Sequence, residues 1–216
     1  MPNSRTPRPN QIFFTRPAPA AVTYDLSMPD QATITVPPGS SWTSGPHWHE
    51  KHTEFLQVLS GRSRVTLGER TFVVSKGDGV VTVPRGVVHE WRRADREGEC
   101  RGENGDGVRG EDEEGEELVV REWTEPKDGA KEVFFRNLNG LVLDAATSGR
   151  EGSWTNTFLE IELWNLFWRA DNYPVVLSTG WIGGVATKVV MGLAVTLGWA
   201  FGCRGVYDEY AFKRRE

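Results

Sequence analysis

The sequence predicts a mainly β barrel or sandwich followed by a C-terminal helical extension. Between Ala32 and Arg92, short runs of alternating apolar and polar residues follow one another, with Gly and Pro turns between them. After Pro126 the apolar period changes from that of a strand to that of a helix. The length of 216 residues suits one domain with an added subdomain, and 38% hydrophobic and 11% aromatic content can fill a core.

Residues 1–30 read as an N-terminal arm. The first part, "MPNSRTPRPNQIFFTRPAPA", is rich in proline and arginine and has no apolar signal region, with Phe13 and Phe14 as its anchors. Residues 31–125 read as the β domain. "ATITV" (Ala32–Val36) and "EFLQVL" (Glu54–Leu59) alternate with period two. "RVTLGERTFVV" (Arg64–Val74) reads as two strands around Gly68-Glu69, a hairpin. "VVTV" (Val80–Val83), the turn Pro84–Gly86 and "VVHEWRR" (Val87–Arg93) continue the pattern, and "ELVVREW" (Glu117–Trp123) completes it.

Residues 95–117 interrupt this domain. Eleven acidic and three basic residues give the segment a charge of −8, against −5 for the whole chain, so the remainder carries +3. Six glycines and one valine cannot build a core, and a disordered acidic insertion is expected. The negative total does not suit a nucleic-acid backbone as partner. Cys100 and Cys203 lie far apart and form no metal or redox pair, so free thiols and a cytoplasmic location are expected.

Residues 126–216 read as the helical extension. "KEVFFRNLNGLVL" puts Phe134, Leu138 and Leu141 on one face, and "NTFLEIELWNLFW" groups Leu159, Leu163, Leu166 and Phe167 with Phe158. Asp171-Asn172-Tyr173-Pro174 stops the second helix. Residues 172–203 carry one charge, Lys188, and the fifteen uncharged residues after it fall short of the roughly 17 to 25 that span a bilayer. Burial against the barrel or in a homodimer is expected, with membrane contact as the alternative.

The chemistry is concentrated in "GPHWHEKHTEFLQVLSG" (Gly45–Gly61), which holds three of the four histidines. His47 and His49, two apart on a strand, share a face. A turn at 50–53 brings Glu54 in from the next strand, and His89 arrives after the Pro84–Gly86 turn. Three imidazoles and a carboxylate suit a first-row divalent metal with open positions. His52 falls outside the set and is expected at the surface or beside the ligands. By parity Trp91 faces inward with His89, while Trp48 faces away. Leu56, Val58, Val81 and Val83 with Trp91 are the expected walls of an apolar substrate pocket.

"HWHEKHTEFLQVLSG" resembles the first motif of the cupin superfamily, H-x-H, three or four residues, E, six residues, G. "GDGVVTVPRGVVH" resembles the second, G-x5-P-x-G-x2-H, with Pro84, Gly86 and His89 in place. Departures fall at Ser41, Asp78 and Arg93, where the motifs have Gly, Gly and Asn. The resemblance implies a double-stranded β-helix, or jelly roll, with His47, His49, Glu54 and His89 holding Fe(II), Mn, Zn, Ni or Cu. The tail is similar to that of small single-domain cupins, and the assembly resembles fungal cupins of secondary metabolism. The family resemblance implies an oxidoreductase, a dioxygenase for example, and the apolar walls suit a small aromatic or polyketide-like substrate. The alternatives are an isomerase or cyclase using the metal as Lewis acid, and a non-catalytic ligand-binding or scaffold protein.

Overall fold

A computed structural model describes residues 5–94, 115–147, 153–177 and 180–211. Most of the acidic segment, 95–114, lies outside the described residues. Among the described residues, ten strands precede the helices: β1 (Phe13–Arg16), β2 (Val22–Asp25), β3 (Gln31–Val36), β4 (His47–Trp48), β5 (Thr53–Ser60), β6 (Arg62–Leu67), β7 (Arg70–Ser75), β8 (Val80–Val83), β9 (His89–Arg93) and β10 (Leu118–Glu125). Then follow α1 (Ala130–Thr147), α2 (Ser153–Arg169), β11 (Tyr173–Pro174), α3 (Trp181–Ala200) and a short 3-10 turn, Asp208–Tyr210.

The strands form two antiparallel sheets, ordered β1-β2-β3-β10-β5-β8 and β11-β4-β9-β6-β7. In β3, β5 and β10 buried and partly exposed residues alternate, so one face of the larger sheet turns wholly inward. The two-residue loop Gly68–Glu69 joins β6 to β7 as the sequence predicts. Gly61, between β5 and β6, has φ 71°, and a Cβ there would stand 2.8 Å from the Glu117 carbonyl oxygen, so both backbone conformation and space demand glycine. Between the sheets lie Ile34, Val36, Trp42, Leu56, Val58, Val65, Trp91 and Val120.

Residues 1–30, expected as a loose arm, instead contribute β1 and β2 to the larger sheet. Phe14 is fully buried and Phe13 is exposed, so only one of the two expected anchors is seated. Arg136 of α1 ties the N-terminal segment down by donating to the carbonyls of Tyr210, Gln11 and Arg8, at 2.7, 2.8 and 2.8 Å. Arg8 pairs with Asp144 at 2.5 Å, and Arg5 with Glu162 at 2.5 Å.

The two predicted helices form as α1 and α2. Phe134, Phe135 and Leu141 of α1 and Leu166 of α2 join the core of the sheets. α1 lies on the inner face of the larger sheet, where Phe135 meets Tyr24 with ring centres 5.2 Å apart. Of the expected burial of residues 172–203, the part against the same chain is small. α3 seats only a narrow stripe, Gly183, Thr187, Met191 and Gly198. Its other face is exposed, from Trp181 (81%) through Val185, Val189, Leu193 and Leu197 to Trp199 (80%). The twenty-residue helix is, by length and composition alone, long enough to cross a membrane, because it begins eight residues before the uncharged run that the sequence reading measured. Lys188, its one charge, is neutralised by Glu50 at 2.6 Å.

This seating makes two substitutions separable. Met191→Asp puts an unpaired charge in a fully buried position and is expected to detach α3, lowering the melting temperature by at least about 5 °C. Leu193→Asp, at an exposed position, is expected to change it by under about 2 °C. Thermal melts of both variants check this.

Candidate metal centre

His47 and Trp48 form β4, a two-residue strand held between β9 and β11. Its register puts His47 directly opposite His89. His49 follows at the end of β4, a turn intervenes, and β5 brings in Glu54. The four side chains are buried, and one ligand atom from each lies within 4.8 Å of all the others. Donor atoms about 2.1 Å from a common ion lie at most about 4.2 Å apart when opposite, so the spread suits one ion after a small contraction. The structure brings together the four residues that the sequence singles out as candidate metal ligands.

Hydrogen bonding decides which atoms point to the centre. His47 Nδ1 contacts the Gly45 carbonyl at 2.8 Å, His49 Nδ1 that of Asp171 at 2.7 Å, and His89 Nδ1 that of Val87 at 3.2 Å. A carbonyl only accepts, so each Nδ1 carries its proton and donates. In neutral imidazoles the three Nε2 atoms then hold lone pairs. His49 Nε2 and His89 Nε2 stand 3.1 and 3.0 Å from the two oxygens of Glu54. Lone pairs facing a carboxylate repel unless positive charge lies between them. The donor set therefore fits a divalent cation, with each imidazole oriented by the outer-nitrogen bond that metal-binding histidines commonly make.

Charge in the centre favours the metal-ready form at Glu54 and His47 and opposes it at His89. Burial works against the Glu54 carboxylate, but Lys131 and His89 outweigh it, and its pKa stands well below the ordinary value. Burial and the neighbouring imidazoles of His89 and His49 push His47 well down, toward the neutral ligand form. Burial lowers His89, but Glu54 reverses this and raises it.

The helical extension completes the site, which the sequence reading missed. Asp171, just beyond α2, adopts φ 55°. Its carbonyl orients His49, while its carboxylate accepts from the backbone N–H groups of Glu50, Lys51 and His52 at 3.1, 2.7 and 3.2 Å. It thus fixes the turn between the ligands. His52, expected at the surface or beside the ligands, is buried and bridges Asp171 (2.8 Å) and Asp128 (3.1 Å). Lys131, from the first turn of α1, reaches Glu54 Oε2 at 2.6 Å and also pairs with Glu122 of β10. Two signals were present. Glu122 interrupts the inward series Leu118–Val120, and Lys131 shares a helix face with Phe134, Phe135 and Leu138.

The predicted pocket walls are placed differently from their expectation. Leu56, Val58, Val83 and Trp91 are buried, Val81 partly so. Trp91 does face inward, but Trp42 packs on it at 4.7 Å and its Nε1 donates to Glu122 at 3.1 Å. The space these walls were to enclose is filled by core. The cavity that touches the centre is lined instead by His49, His52, Thr124, Lys131, Phe134 and Asn172, and at about 20 Å³ it has room for about one water. Trp48 points away as expected, stacking on Tyr173 at 5.5 Å.

Asp171→Ala, which frees three backbone N–H groups of the ligand-bearing turn, is expected to weaken binding of Zn(II) by at least about 10-fold. Competition against a chromophoric chelator measures it, and unchanged affinity counts against the role of α2.

The family comparison agrees with this architecture. Residues 32–102 match the family model of the cupin domain. "Probable oxidoreductase virH" of Hypocrea virens is 27% identical over 156 residues, covering 65% of this chain. The chain spans 63% of that relative's length. KdgF from Halomonas sp. aligns over 58% of this chain and 96% of its own at 17% identity and TM-score 0.36. CapF from Staphylococcus aureus aligns over 54% and 32% at 18% identity and TM-score 0.36. The match over residues 32–102 takes in both motifs and strands β3 to β9 of the paired sheets, so this part of the chain is similar to a cupin domain.

Proposed function

We propose that this chain is a metal-dependent oxidoreductase acting on a small molecule. The observation that carries the reading is the convergence of three Nε2 atoms and the Glu54 carboxylate, each imidazole held by its Nδ1 to a backbone carbonyl. The name of the Hypocrea virens relative supports the redox class. A divalent metal held by His47, His49, Glu54 and His89, with Fe(II) preferred, would supply Lewis acidity and, if redox-active, reactivity toward dioxygen. The chain's own contribution is orientation, exclusion of water and placement of charge. Phe134 and Ala170 close the apolar side of the cavity, while Lys131 and Asn172 give it polar contacts. An aromatic or polyketide-like substrate, the class expected from the apolar candidate walls, needs more room than about one water, so it enters only if α1 or the segment after α2 yields.

A specific observation favours a second reading, a non-redox isomerase or cyclase. Lys131 and Glu122 form a buried acid-base pair at the centre, and Lys131 lines the cavity. Lys131 can donate a proton from Nζ to an oxygen of a substrate, and the Glu122 carboxylate can accept one.

Anaerobic purification and reconstitution with Fe(II) tests both readings. One ion per chain is expected, with less than about a tenth of that occupancy in His49→Ala. Incubation with a panel of aromatic and polyketide-like compounds in a dioxygen-electrode cell then separates the classes. Product formed with dioxygen consumption supports the oxidoreductase. Product without it supports the isomerase, and full iron occupancy in His49→Ala overturns the site.

A further inference from the structure

Lys131 is a cation already placed at the centre. It is almost fully buried, and its ammonium contacts two carboxylates, Glu54 of β5 and Glu122 of β10. Among the described residues, Glu54 Oε1 faces His89 alone, whereas Oε2 is shared between His49 at 3.1 Å and Lys131 at 2.6 Å. The oxygen nearest His49 is thus the oxygen Lys131 holds. With Glu54, Glu122 and Lys131 charged, these three side chains sum to −1, and a divalent ion brings the sum to +1. An ammonium and a dication on one carboxylate oxygen repel strongly in a buried setting. Lys131 has an alternative seat without leaving the core, because Glu122 remains beside it and four rotatable side-chain bonds allow the move. The helix itself is fastened at that end. Asp128 accepts from the Ala130 N–H at 3.0 Å and contacts His52, and Asp30 accepts from the Gly129 N–H at 2.7 Å.

We propose that Lys131 is a tethered competitor for the metal position: it holds Glu54 against the ion, and metal loading transfers its ammonium wholly to Glu122. This rests on the reading of His47, His49, Glu54 and His89 as the metal site. Metal affinity is then set by a residue of the helical extension that is not itself a ligand. The move also changes the cavity, whose lining includes Lys131, so ion loading and access to the centre are linked through one side chain.

Zn(II) affinity, measured by chelator competition on the full chain, tests this without any assay of activity. Lys131→Met keeps the length of the side chain and removes its charge, and is expected to bind Zn(II) at least about 10-fold more tightly than wild type, a difference of about 1.4 kcal/mol. Glu122→Gln leaves Lys131 with Glu54 as its sole carboxylate and is expected to bind at least several-fold more weakly. If Lys131→Met alone does not fold, because Glu122 is left buried and unpaired, the double variant Lys131→Met with Glu122→Gln removes both charges and carries the same expectation of tightening. Equal or weaker Zn(II) binding in the lysine variants, with one equivalent bound by wild type, overturns the proposal and leaves the metal site standing. No Zn(II) bound by wild type overturns both.

Discussion

A carboxylate that keeps 1% of its surface exposed must have positive charge or hydrogen-bond donors around it, and the placement of Glu54 makes that requirement the organising constraint of this molecule. Its two oxygens face the Lys131 ammonium and, across the position a cation would take, the Nε2 atoms of His49 and His89. Those partners come from the turn after β4, from β9 of the smaller sheet and from α1 of the extension, while Glu54 itself lies in the larger sheet. The strand register that sets His47 opposite His89, the turn that carries His49 toward β5 and the seat of α1 all converge on this one side chain. Losing one partner would leave charge buried without compensation, which explains why a site of this kind is embedded in several layers of support.

The helical extension is therefore part of the site. Asp171 fixes the ligand-bearing turn from beyond α2, β11 extends the smaller sheet beside β4, and Lys131 enters from α1. Trp48, turned away from the centre, stacks on Tyr173, and with Met191 these residues form a second core under α3. One short strand thus carries metal-ligand candidates on one side and the anchor of the last helix on the other.

The β-domain and four candidate ligands were legible because the signals are local. Alternation in β3, β5 and β10, the Gly68-Glu69 loop and the His47-His49 spacing each lie within a few residues. Parity also placed Leu56, Val58, Val83 and Trp91 inward, but it does not distinguish a cavity wall from filled core, and Trp42 against Trp91 decided for core. Lys131 with Glu54 and Asp171 with the turn at 50–52 join residues 77 and about 120 positions apart, where no local pattern reports contact. Residues 13–25 were hidden for a related reason: proline and arginine suggested an arm, while pairing with β3 and the Arg136 bonds to distant carbonyls made it a sheet edge. In α3 composition was read correctly as apolar, yet its burial depends on packing partners that composition does not name.

The central claim is that three imidazoles present Nε2 to one ion. Pulsed electron paramagnetic resonance of the Mn(II)- or Cu(II)-loaded protein counts nitrogen ligands directly, and selective 15N labelling of histidine assigns the signal. The account predicts three equivalent-class imidazole couplings per ion, from nitrogens of His47, His49 and His89. Coupling to one imidazole, or to none, would contradict it and place the bound ion outside this cluster.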